Sequence, residues 1–150
     1  MKRIWRGCLI ALLVVLGGFM LWPRNLGEAF DAEKQFAVSV TLFDVVDGRP
    51  DNKTEQYDLP AGTETGRRIN DLLSRHTYHL TLGSLMGDNV IDDPTVTMHF
   101  VNSEGVFLTL SDTAELFLNH RTYRLDYWGR ERGAELCQEI LMLLRGTKEE

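Results

Sequence analysis

The feature that most constrains this chain is an uncharged apolar run near its N-terminus, from Cys8 to Trp22. Extended back to Trp5, the run is long enough for a helix of roughly 25 Å, close to the ~30 Å thickness of the hydrocarbon core of a membrane. Trp5 and Trp22 bracket the run, as aromatic residues do at the two membrane interfaces. We therefore expect a transmembrane helix with Trp5 and Trp22 at the interfaces and membrane contact over residues 7–22.

Charge is distributed unevenly on the two sides of this run. Residues 1–24 carry four basic side chains and no acidic one, whereas the remaining 126 residues carry 12 basic and 22 acidic side chains, a net charge of −10. By the positive-inside rule, Lys2, Arg3 and Arg6 place the N-terminus in the cytoplasm and the domain outside. We expect a single-pass, extracytoplasmic protein of the cell membrane. The alternative is secretion after cleavage near Ala29, where Gly27-Glu28-Ala29 offers small residues to a signal peptidase.

Composition excludes several classes of protein. The acidic balance excludes a basic nucleic-acid binder, and 43% apolar residues exclude a disordered polyanion. Two cysteines are too few for a disulfide scaffold. A chain of 150 residues has room for one domain of ordinary size. We expect the segments 1–24 (signal anchor), 25–34 (polar linker) and 35–146 (domain).

The first half of the predicted domain contains a hairpin and a helix. Apolar residues alternate over residues 35–46, which indicates a half-buried strand, and residues 55–59 return as a second strand after a polar turn. Thr63 or Thr65 caps a helix that runs to His76. Its apolar residues recur at helical spacing and form one stripe.

The second half is predicted to be an antiparallel meander followed by a helix. Its strands are residues 95–101, 106–110, 115–118 and 122–127, with a helix over 114–119 as the alternative to the third strand. A helix over residues 131–145 closes the chain. The predicted core-facing residues are Val96, Met98, Phe100, Val106, Leu108, Leu110, Leu116 or Phe117, Tyr123, Leu125 and Tyr127. The fold class is therefore α+β: an N-terminal transmembrane helix, then one small domain with an antiparallel sheet (hairpin plus meander) and two amphipathic helices.

One basic and aromatic cluster near residue 125 is a candidate ligand-binding site. Guanidinium groups beside aromatic rings suit an anionic ligand. The candidate residues are Arg121, Arg124, Tyr127, Trp128 and Arg130. The alternative is a solvated surface in which these arginines pair with Asp126, Glu131 and Glu135.

The acidic loop that contains Asp88, Asp92 and Asp93 is a candidate metal site, because carboxylates in a flexible loop can hold calcium. Its spacing does not match a calcium-binding loop, and turns use the same residue types. His76 and His79 lie three residues apart, so a small metal-dependent hydrolase would use this pair together with the acidic loop. Cys137 lies on the apolar face of a helix, where we expect an inert thiol. We expect no catalytic residue and no cofactor.

Several features of the second half occur together: an Asp93-Pro94 step that opens a strand, a tight hairpin at residues 102–105, a second hairpin, a strand that contains Tyr123 and a final short helix. In this layout the chain resembles small membrane-anchored or secreted extracytoplasmic proteins of unknown function from Gram-positive bacteria. The resemblance covers about residues 36–144. It implies a tethered or secreted α+β domain and brings no assigned active site.

From the sequence we expect a membrane-tethered, extracytoplasmic domain that binds a ligand or regulates an envelope process without catalysis. Its partner is the membrane and either a protein or a cationic peptide. The alternative function is an immunity-type or cationic-peptide-sequestering protein, because a net charge of −10 attracts cationic peptides.

Overall fold

The computed structural model describes residues 2–47, 49–81, 94–127 and 130–147, without the side chains of residues 2–6, 19–21 and 130. Four helices lie within these residues: α1 (Lys2–Leu21), α2 (Leu26–Ala29), α3 (Glu64–Ser74) and α4 (Arg130–Gly146). The strands are β1 (Arg24–Asn25), β2 (Phe36–Val46), β3 (Arg49–Leu59), β4 (Thr77–His79), β5 (Val96–Asn102), β6 (Phe107–Ser111), β7 (Glu115–Leu118) and β8 (Arg121–Leu125).

The predicted transmembrane helix is wrong. Within the part of the chain that the structure describes, no helix is both long enough and apolar enough to cross a membrane.

The strands form one antiparallel sheet of eight strands in the order β1-β4-β8-β7-β6-β5-β2-β3. The fold is α+β, with two more strands and one more helix among the described residues than the sequence predicts for the domain and its anchor. β2 lies where the alternation of apolar residues predicts it. β3 begins at Arg49 instead of residue 55, because all eleven of its residues pair with β2. Pairing with a neighbouring strand creates this extension, and residues 49–54 show no alternation of their own.

The second half follows the predicted meander closely. β7 is a strand and not the alternative helix, and it pairs with β6 on one side and β8 on the other. β8 ends at Leu125, and Asp126 has a φ of 47°, which turns the chain away from the sheet. Tyr127 therefore leaves the strand and is 45% exposed. Its predicted place in the core is wrong.

The core lies between one face of the sheet and the helices α3 and α4. Thr63 caps α3, because its Oγ1 accepts a hydrogen bond of 3.2 Å from the backbone N–H of Gly66. Ile69 and Leu73 of α3 are buried, so the apolar stripe of the helix faces the core. The fully buried core side chains include Val38, Val40, Met98, Phe100, Leu108 and Leu116 of the sheet and Ile69, Leu73, Leu136, Ile140 and Leu144 of the helices.

Residues 25–34, predicted to be a polar linker, are folded into the domain. β1 pairs with β4, and the backbone N–H of Leu26 donates a hydrogen bond of 3.0 Å to the carbonyl of His76. Leu26 and Phe30 are fully buried, and Ala32 is 1% exposed. The segment has too few apolar residues to show a period, and its partners lie some fifty residues further along the chain. Only the tertiary structure brings them together.

Candidate functional site

The predicted ligand-binding residues do not form one patch. Arg121 and Arg124 are both exposed, but they are three residues apart in β8, so their side chains point to opposite faces of the sheet. Tyr127 lies beyond the end of β8. Trp128 and the side chain of Arg130 lie outside the described residues.

The predicted metal ligands Asp88, Asp92 and Asp93 also lie outside the described residues. Within the described ranges, no three His, Cys, Asp or Glu side chains are grouped so that they could hold a metal ion. Of the predicted membrane-interface residues, Trp22 is 70% exposed, and the side chain of Trp5 is not described.

The structure brings the two predicted histidines to one end of the sheet, in a cluster that we call the histidine corner: His76, Thr77, His79, Asp126 and Tyr127. His76 follows the C-terminus of α3, and its Nδ1 lies 2.8 Å from Oδ2 of Asp126. Oδ1 of the same carboxylate accepts hydrogen bonds from the backbone N–H of Thr77 (2.9 Å) and from its hydroxyl (3.1 Å). The Asp126 side chain thereby joins the end of α3, β4 and the end of β8.

Asp126 is ionised in the folded protein. Burial works against its charge, since its side chain is only 12% exposed, but the hydrogen bonds from Thr77 and His76 outweigh burial and lower the pKa of the carboxyl below its ordinary value. Nη1 of Arg132 lies 3.7 Å from Oδ2 and adds a positive charge. The sequence suggests a solvated Asp126 paired with arginines, because nothing in the local pattern points to His76.

His79 is the second histidine of the histidine corner, and its burial decides its protonation. It is 8% exposed and stacks on Tyr127 with ring centroids 4.6 Å apart. Burial lowers the pKa of its imidazole, the guanidinium of Arg124 lowers it further, and Asp126 offsets part of the change. Its Nδ1 is buried without a hydrogen-bond partner. His79 is therefore a neutral imidazole at neutral pH.

The corner has one element of a catalytic site. A histidine held by a carboxylate has the geometry of a general base. Among the described residues, however, the hydroxyl nearest to this pair is that of Thr77, and it already donates to Asp126. Burial raises the pKa of the Cys137 thiol to about 12, which leaves it protonated and unreactive, as its place on the apolar face of α4 predicts.

A groove between α3 and α4 is the second candidate site. We call it the helix groove; its volume is about 370 Å³. Its lining residues are Arg68, Asp71, Leu72, Arg75, Glu139, Met142 and Leu143. Leu72, Met142 and Leu143 provide an apolar floor, and the charged residues form the rims. Small-molecule and peptide sites commonly have this volume and this arrangement.

Met142 is the residue of the helix groove that sequence analysis missed. It is 63% exposed and stands on the polar face of α4, beside Glu139 and away from the buried Ile140 and Leu144. A large apolar side chain on the polar face of an amphipathic helix was the available signal. The groove itself depends on α3 and α4 being neighbours, which their separate periodicities do not specify.

The chain matches no family model, no curated protein and no solved structure. The resemblance to small extracytoplasmic proteins of Gram-positive bacteria stays a prediction.

Proposed function

We propose that this protein is a non-catalytic binding domain that associates with a membrane through α1 and receives an amphipathic helix of a partner protein in the helix groove. The observation that carries the binding function is the exposed Met142 in a groove lined by apolar and charged side chains.

The charges on the rims define the chemistry of the partner. Arg68, Asp71 and Arg75 stand on the α3 side, and Glu139 stands on the α4 side. Arg68 already pairs with Glu64 at 2.5 Å. Arg75 and Glu139 are exposed, and no ion pair of either is seen among the described residues. A helix with an apolar stripe, an acidic side chain opposite Arg75 and a basic side chain opposite Glu139 complements this groove.

Membrane association is supported by the exposure of α1. Its large apolar residues from Leu9 to Leu16 are 50% to 68% exposed, and they occupy successive positions around the helix. An exposed apolar surface of this extent is typical of a site that contacts a membrane or another protein. The charge distribution of the sequence supports an extracytoplasmic position of the domain, which stays a prediction.

The histidine corner is consistent with a non-catalytic role. Among the described residues, the polar contacts of Asp126 go to the backbone or side chains of neighbouring elements: Thr77, His76 and Arg132. A carboxylate with these contacts holds the end of α3, β4 and the end of β8 in position. The corner therefore has a structural explanation that requires no substrate.

Site-specific photo-crosslinking in native membranes tests the groove. A photoreactive residue at Met142 should give a discrete product, and one at Ala134, an exposed position on another side of α4, should not. Arg75→Glu should weaken the product at position 142. The crosslinked peptide of the partner should contain an apolar residue within an amphipathic helical pattern. Equal products at both positions, or a crosslinked segment without an apolar anchor, would contradict the proposal.

A further inference from the structure

We infer that β8 meets the membrane surface through Arg121 and Arg124, which lie near opposite ends of the strand and on opposite faces of the sheet, and that both guanidinium groups bind phosphate groups of anionic lipids. The inference rests on the proposed association of α1 with lipid and specifies how the domain is oriented there. It follows from the point at which the chain enters the sheet.

The connection between α1 and the sheet is short. α1 ends at Leu21 and β1 begins at Arg24, so only Trp22 and Pro23 lie between them. Three Cα-to-Cα steps reach at most about 11 Å. Because residues 25–34 are folded into the domain, no longer segment allows the sheet to move away from α1. Trp22 is 70% exposed at this junction, as expected of an aromatic residue in the headgroup region.

Strand register shows which residues lie beside the junction. Arg24 pairs with Tyr78, so Pro23, from which the chain enters β1, lies at the level of the next residue of β4, His79. His79 in turn pairs with Arg124 of β8. Two inter-strand spacings of ~4.8 Å place the Arg124 backbone about 10 Å from the junction. Arg121 lies a further ~10 Å along β8, toward the side from which the chain enters β1.

The charge of this edge differs from that of the rest of the domain. Arg121 and Arg124 are exposed, and neither has an ion pair among the residues that the structure describes. Arg24 adds a third guanidinium beside Tyr78. Glu115 lies opposite Arg124 and Glu28 lies near Tyr78, so the three arginines exceed these two carboxylates by one positive charge.

The 126 residues after Arg24 have a net charge of −10, which an anionic membrane repels. Because the basic residues lie beside α1 and the rest of the domain is acidic, one orientation of the domain relative to an anionic membrane is favoured. Each arginine close to an anionic membrane contributes about 1 kcal/mol, or roughly a fivefold change in affinity.

Vesicle co-sedimentation of the full chain tests this inference. We expect binding to phosphatidylcholine vesicles and tighter, salt-sensitive binding to mixed phosphatidylcholine–phosphatidylglycerol vesicles. Arg121→Gln combined with Arg124→Gln should remove most of the increase caused by phosphatidylglycerol and leave binding to phosphatidylcholine unchanged. The matched control is Lys53→Gln combined with Arg67→Gln, which removes the same charge from β3 and α3 and should keep the increase.

The outcomes separate the inference from the function on which it rests. Two outcomes overturn the inference and leave membrane association intact. One is equal binding to both kinds of vesicle, and the other is an increase with phosphatidylglycerol that persists in the variant without both arginines. Binding to mixed vesicles alone that depends on the two arginines supports the basic edge and overturns the role of α1. Absence of binding to either vesicle overturns both. Circular dichroism of each variant verifies folding.

Discussion

Nδ1 of His76 lies 2.8 Å from Oδ2 of Asp126, and the two residues are fifty positions apart in the chain. The contact links the end of α3 to the turn that follows β8, beside β4. The N-terminal strand β1 pairs with the other side of β4. From the sequence, His76 is a candidate metal ligand beside His79, and Asp126 is a surface acid; in the structure the two form the polar connection between a helix end and two strands.

Removing the Asp126 charge should destabilise the domain. Asp126→Asn weakens the hydrogen bonds from His76 and Thr77 at a buried position, so we expect a loss of about 1–3 kcal/mol in the free energy of unfolding. Urea unfolding at neutral pH measures the loss. Asp58→Asn, at an exposed position of β3, should change stability by less than about 0.5 kcal/mol. Equal stability of both variants would contradict a structural role for Asp126.

Acid should remove the contribution of Asp126. Its pKa is lower in the folded protein than the ordinary value of 3.8, so the unfolded chain binds the proton first. The contribution is complete above the ordinary pKa and is lost as the pH falls through the folded pKa. Unfolding measured across this range should show a steeper loss of stability in the parent protein than in Asp126→Asn.

Two histidines, the buried His79 and the half-buried His99, should make the domain less stable in mildly acidic solution. Burial lowers the pKa of His79 and of His99 below 6.5, so protonation favours the unfolded chain as the pH falls below that value. His79→Gln and His99→Gln should each reduce the loss of stability between about pH 7 and pH 5. Imidazole titration by NMR provides a direct measurement.

Glycine at position 133 is required for the packing of α4. A Cβ there would lie 2.5 Å from the backbone nitrogen of Ala114 and 2.7 Å from its Cα. Gly133→Ala should therefore cost about 1–3 kcal/mol, although alanine ordinarily favours a helix. Gly146→Ala, which meets no atom within 4 Å, should be neutral or slightly stabilising. Thermal unfolding distinguishes the two, and a stabilising Gly133→Ala would contradict the close contact.

Phe30 should be essential for folding although it lies in the predicted linker. Its ring is fully buried and packs edge-on against Phe36 and Phe100, with centroid distances of 5.8 and 5.6 Å. Phe30→Ala should cost about 3–5 kcal/mol. Trp22→Ala, at a 70% exposed site, should not change the stability of the domain. A well-folded Phe30→Ala protein would show that residues 25–34 are dispensable.

Local periodicity predicts those elements whose apolar residues repeat within the element itself. β2, α3, the meander and α4 were all predictable in this way, because one face of each packs on the same core. β1, α2, β4 and the first half of β3 were not. They are short or polar, and pairing with distant strands stabilises them.

The candidate sites show the same division. The sequence picks out His76, His79, Arg124 and Tyr127 as residue types that carry chemistry, but it places them in separate sets. The register of β4 with β8 brings His79 opposite Arg124, and the turn at Asp126 returns Tyr127 to the imidazole. Met142 lines a groove only because α3 lies beside α4.

The sequence by itself determined the uneven charge, the apolar N-terminal run, the α+β class of the domain and the elements that have their own periodicity. Only the tertiary structure decided that the chain enters the sheet directly after α1, that Asp126 pairs with His76, and that a groove lies between two helices. Periodicity is a property of neighbouring residues, whereas strand order, register and helix contacts depend on residues that approach one another only after the chain has folded.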